Sequence, residues 1–115
     1  MTADAEPLPE VPAGELVDGV ADAMFALSST SRVRIVLLLR ARPCTVGELT
    51  EATGMEQSAV SHQLRVLREH RIVSVERLGR RRRYALSDDN MVTLLDAALE
   101  HVAPTTEKRA HRAAG

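Results

Sequence analysis

After His70 the recurrence of apolar residues shortens from every third or fourth position to every second, and few folds accommodate that switch within 115 residues. Upstream, a periodic stretch begins around Glu56 and runs to His70, with Val60, Leu64 and Leu67 on one side of a helical wheel. Downstream, the segment from Ile72 to Leu78 alternates, Gly79 interrupts it, and Tyr84, Ala85 and Leu86 resume after a run of arginines, which predicts a two-stranded hairpin. The length suits one packed domain.

The remaining segments read as helices. Leu16, Val17, Val20, Ala21, Met24 and Leu27 lie at three- and four-residue steps, the period of an amphipathic helix ending near Ser28. Ser31 can cap a second helix, apolar nearly all round through Val33, Ile35, Val36, Leu37, Leu38 and Leu39, which Pro43 stops and which belongs at the centre of the core. Thr45 precedes a short third helix with Val46, Leu49 and Ala52, ended by Gly54. A last helix carries Met91, Leu94, Leu95, Ala98, Leu99 and Val102 on one stripe, with Asp88 or Asp89 near its start. Because Phe25 and Tyr84 are the only aromatic residues, the core has to be aliphatic, which favours helices.

The expected fold is therefore mainly α with a small β-hairpin: helix, helix, helix, turn, helix, two-stranded wing, helix. This is a winged helix-turn-helix occupying residues 13–103. Residues 1–12, with Pro7, Pro9 and Pro12, and residues 104–115, after Pro104, read as mobile tails. A domain this small cannot easily bury the stripes of both its first and last helices, so a homodimer through those two helices is expected.

A formal net charge of −1 conceals an uneven distribution. Residues 1–31 carry six acids and no Lys or Arg, and residues 84–115 carry five acids against Lys108, Arg109 and Arg112. Residues 32–83 carry twelve arginines against five glutamates, a basic middle suited to a polyanionic partner. Cys44 is the single cysteine, so a disulfide within the chain is excluded and a reducing cytosol fits. With no apolar run of spanning length and no secretory pattern at the N-terminus, a cytoplasmic protein without a membrane partner is expected.

On the helix ending at His70, Ser58, Ser61, His62 and Arg65 lie opposite the apolar side, with Gln57 near the start. Ser can bond base edges or phosphates, Arg65 can make a two-pronged contact with guanine, and Gln57 can pair with adenine. Any surface helix has a polar face, so the neighbouring hairpin matters. Its tip carries Arg80, Arg81, Arg82 and Arg83, cations that repel one another and gain from phosphates or a minor groove rather than from folding. Double-stranded operator DNA is the expected partner. An enzyme is not expected: there is no Gly-rich phosphate loop, no nucleophile with a base nearby in sequence, and no complete metal site.

The run from Gly54 through Ser58, Ser61-His62-Gln63-Leu64 to Leu67, followed by Gly79-Arg80 and Tyr84-Ala85-Leu86, resembles the ArsR/SmtB family of prokaryotic metal-responsive regulators, over roughly residues 15–103. The nickel/cobalt-sensing branch looks closest. The resemblance implies dimeric operator binding with release or rearrangement when an effector binds. It also implies a metal site on the last helix, shared between subunits, at the positions of Asp88, Asn90, His101 and Pro104. Asp88 and His101 keep ligand types; Asn90 is a poor ligand and Pro104 offers none. A distorted site for nickel, otherwise cobalt or zinc, could recruit Glu100, water or His111. Equally, Asp88 can be a helix cap and His101 a helix-end residue. The family's Cys-x-Cys site is absent from Thr45–Leu49, leaving Cys44 as an inert thiol. The eroded ligand set also allows a regulator that takes its signal from a separate sensor protein.

Overall fold

The computed structural model describes the backbone of residues 5–114 and the side chains of residues 5–103. Along the chain run α1 (Gly14–Ala26), α2 (Thr30–Ala41), β1 (Cys44–Thr45), α3 (Val46–Thr53), α4 (Gln57–Glu69), β2 (Val73–Leu78), β3 (Arg81–Leu86) and α5 (Asp89–Ala114). Residues 5–13 have no regular structure. The tail expected at 104–115 lies outside the described side chains, and α5 as bounded continues through its start.

The core is aliphatic, as the composition requires. Ile35, Val36 and Leu39 of α2 meet Leu49 of α3, Val60, Leu64 and Leu67 of α4, Ile72 and Val73 at the base of the wing, and Leu95 of α5. Tyr84 of β3 and Ala26 of α1 complete it. Ala26 is the one buried residue of α1, so most of that helix's apolar stripe is not used within the chain.

Local chemistry sets the boundaries. Ser29, not Ser31, caps α2: its extended backbone lets the hydroxyl accept from Arg32 N–H at 3.4 Å, whereas Ser31 already lies inside the first turn. Thr45 and Glu48 form a reciprocal capping box at α3, with Thr45 Oγ1 accepting from Glu48 N–H and Glu48 Oε1 from Thr45 N–H. At the end of α4, Arg71 adopts the left-handed region with φ 60°. Its N–H donates to Arg68 O at 3.0 Å and Ile72 N–H donates to Leu67 O at 2.9 Å, a Schellman closure. That closure stops the helix and turns Ile72 into the core, and the change of period begins there.

The expected wing of two strands is part of a three-stranded antiparallel sheet in the order β1-β3-β2. Cys44 pairs with Tyr84 and Thr45 with Arg83, while β2 and β3 register from Val73↔Leu86 to Leu78↔Arg81. β1 has two residues between Pro43 and the α3 cap, too few to show alternation in the sequence. It ties the wing to the start of α3.

Candidate nucleic-acid interface

Helices α3 and α4 are joined by a turn that opens at Gly54, whose φ of 71° is reached without cost by a residue lacking Cβ. The turn leaves α4 with one face in the core and the other in solvent. Val60, Leu64 and Leu67 are buried, and Gln57, Ser58, Ser61, His62 and Arg65 are all exposed. Among the described residues, none of those five side chains forms a hydrogen bond or ion pair within the chain. Their donors and acceptors are available to an external partner.

Arg80, Arg81 and Arg82 are exposed around Gly79, which takes φ 64° at the wing's turn. Arg83 differs. It is half-buried and donates to Glu76 Oε2 at 3.1 Å, directly across the ribbon, so one of the four tip cations is neutralised internally. Arg82 faces Arg77 across the same ribbon, and like charges in register disfavour the hairpin unless an anion lies beside them. Arg77 was not distinguished by the sequence, because only the pairing register reveals its neighbour.

Between α4 and the wing is a cavity of about 230 Å³ lined by Val46, Ser61, Arg65, Arg68, Arg82 and Tyr84. Arg68 is the second residue that sequence reading passed over. It lies one turn after Arg65 on α4, beyond the residues the sequence pattern singles out, and its helical spacing was the available signal.

The attitude of α4 is fixed by polar contacts with α1 and α2. Arg32 donates through Nε to Ala26 O at 2.6 Å, through Nη2 to Phe25 O at 3.5 Å, and through Nη1 to Gln63 Oε1 at 3.0 Å. One guanidinium thus closes the C-terminus of α1 and holds α4. At the far end of α4, His70 Nδ1 lies 2.8 Å from Asp22 Oδ2, and its ring meets Phe25 with centroids 5.8 Å apart. These contacts give His70 a structural role at the junction of α4 and α1.

Asp88 acts as the cap of α5, its Oδ1 accepting from Met91 N–H at 3.0 Å. His101 is exposed, and among the described residues no group of three His, Cys, Asp or Glu side chains could hold a metal. Among the described residues, Asp88 and His101 of one chain are therefore not part of such a group; His111 and Pro104 lie outside the described side chains. Cys44 is buried, its thiol donates to Arg42 O at 3.3 Å, and burial pushes its pKa up, which makes it unreactive.

A helix-turn-helix with a cationic wing defines the class of winged-helix DNA-binding regulators. The family model for the bacterial regulatory protein, arsR family, matches residues 29–75, from the α2 cap into β2. The HTH-type transcriptional regulator NmtR of Mycobacterium tuberculosis is 50% identical over 82 residues, which is 71% of this chain and 68% of that protein. A solution structure of apo-NmtR superposes with TM-score 0.67 at 44% identity, covering 84% of this chain and 82% of that one. A homodimeric winged helix-turn-helix DNA-binding domain from Mycobacterium bovis, a possible ArsR-family regulator, superposes with TM-score 0.73 at 27% identity, covering 86% and 91%. The chain belongs to the ArsR/SmtB family and is a transcriptional regulator, not an enzyme.

Proposed function

We propose that this protein is a cytoplasmic, homodimeric regulator that reads operator DNA through α4 and grips the flanking backbone with its wing. Residues 13–103 are the DNA-binding and dimerisation unit. Gln57, Ser58, Ser61 and His62 face base edges, and Arg65, Arg80, Arg81, Arg82 and the paired Arg83 face the backbone and groove edges. The observation that carries the reading is the coincidence of an exposed, internally unbonded polar face on α4 with a ribbon whose Arg77 and Arg82 are set directly opposite each other. Selection of duplexes from a random pool tests it. Recovery of a common sequence whose preference is lost in Ser61→Ala and Gln57→Ala supports the assignment; failure to enrich any sequence contradicts it.

The dimer rests on α1 and α5. Leu16, Val20 and Phe25 of α1 are each at least 60% exposed, and Met24, Leu27, Leu37, Leu94 and Leu99 line an apolar groove between α1, α2 and α5. A second copy of the same chain covers these faces about a two-fold axis, in keeping with the homodimeric relative from Mycobacterium bovis.

Effector binding is placed between the two copies. Asp88, which caps α5, and His101 within it are thirteen positions apart, and antiparallel packing of two α5 helices sets Asp88 of one against His101 of the other. Nickel is the first ion to test, then cobalt and zinc. Calorimetry decides: sub-micromolar binding lost in His101→Ala supports an intersubunit site, and no heat with any of the three means that the signal reaches the protein by another route, such as a separate sensor protein.

A further inference from the structure

We infer that the cavity between α4 and the wing is a phosphate-binding site, and that its occupant is a single phosphodiester of the DNA backbone; the inference rests on the DNA-binding reading above. Three arginines are among the residues that line this cavity of about 230 Å³: Arg65 and Arg68 from α4, and Arg82 from β3. Among the described residues none of the three has an ion-pair or hydrogen-bond partner, although the chain pairs Arg40 with Asp96, Arg42 with Glu48 and Arg83 with Glu76. Among the described residues no carboxylate lines the cavity.

Three cations lining one cavity without an internal counter-ion repel one another, so the fold bears a cost that an anion removes. Guanidinium forks match the oxygens of a phosphate in pairs, and Ser61 and Tyr84, which line the same cavity, bring two hydroxyls as further donors. Tyr84 is 8% exposed, its ring fixed in the core, and neither hydroxyl makes a hydrogen bond among the described residues. The donor set is held by two elements. Arg65 and Arg68 sit one turn apart on α4, and Arg82 and Tyr84 share one face of β3, two positions apart.

A backbone phosphodiester is favoured over a free anion by position. The cavity opens between the helix that faces the bases and the ribbon that flanks them, where the edge of a groove would pass. Arg68, which lies beyond the half of the helix that meets bases, then positions the helix without reading sequence.

The test uses the full chain, its Arg68→Ala variant, a duplex recovered by selection and an unrelated duplex of equal length, each titrated across a salt series. The expected result is a loss of roughly tenfold to a hundredfold in affinity for both duplexes. The slope of log affinity against log salt should become shallower by about one. Arg68→Gln, which keeps an extended polar side chain without the charge, replaces the alanine variant if the latter melts early. Wild-type affinity and slope in these variants, with the parent binding normally, overturn the phosphate site and leave the regulator reading intact; a loss confined to the selected duplex does the same. A parent that binds no duplex overturns both. Inorganic phosphate titrated into DNA-free protein separates the two sources: saturation below millimolar, with shifts confined to Arg65, Arg68 and Arg82, would make a free anion the occupant and overturn the backbone assignment, while absence of saturation upholds it.

Discussion

Glu48 carries two tasks with one carboxylate. It closes the α3 capping box by accepting from Thr45 N–H at 3.0 Å, and it pairs with Arg42 Nη2 at 2.5 Å. The Arg42 guanidinium first, and then the Thr45 N–H, hold its pKa down at about 2 from the ordinary 4.5. The group's pKa is depressed in the folded protein, so its contribution is present above pH 4.5 and is lost as pH falls toward about 2. Glu48→Gln should flatten acid unfolding followed by circular dichroism across that window; an unchanged acid limb would show that the pair is screened by solvent. Arg71 has the opposite character. A non-glycine residue at φ 60° bears backbone strain, so Arg71→Gly is expected to leave the melting temperature unchanged or raise it, by up to about 1 kcal/mol in stability. Both roles were hidden in sequence: the pattern places Thr45 before the third helix without a capping role, and Glu48 acquires its partner Arg42 only when the chain folds back over Pro43.

Helix α4 divides its work by face, and the division is measurable. Leu64→Ala, at a site 1% exposed, should cost about 2–5 kcal/mol of stability. Ser61→Ala, on the exposed face, should change stability by less than about 0.5 kcal/mol yet weaken duplex binding. Chemical denaturation and anisotropy titrations on the same two proteins check this, and equal stability loss in both would mean that the faces are misassigned. The wheel was legible because thirteen residues of helix repeat their pattern several times over. The wing was legible from Gly79 and its alternating flanks. Pairing within it was not, because Glu76 with Arg83 and Arg77 with Arg82 follow from the register, which alternation alone does not specify. Strand β1 was missed for the same kind of reason, having two residues and no period.

For the whole molecule, the distribution of apolar surface matters more than any one contact. Residues Leu16 and Val20 leave α1 with a stripe that the chain's own core does not use. Sedimentation of a Leu16→Glu, Val20→Glu variant should give half the parent mass, with duplex binding weakened because half-sites are no longer presented together. A parent that sediments as a monomer would contradict the dimer directly. The two stripes were readable in the sequence, but their link to DNA was not. Arg32 joins the C-terminus of α1 to Gln63 of α4 across 31 positions, and no periodicity encodes a contact of that separation.

Salt-dependent affinity for duplex DNA tests the central claim, that α4 and the cationic wing together engage a polyanion. Fluorescence anisotropy of a labelled duplex, followed across a salt series, should show affinity falling steeply for the parent. A variant with Arg80, Arg81 and Arg82 all replaced by Gln should have a slope shallower by about 2 to 3. Identical slopes in the two proteins, or no binding by the parent in dilute buffer, would contradict the account.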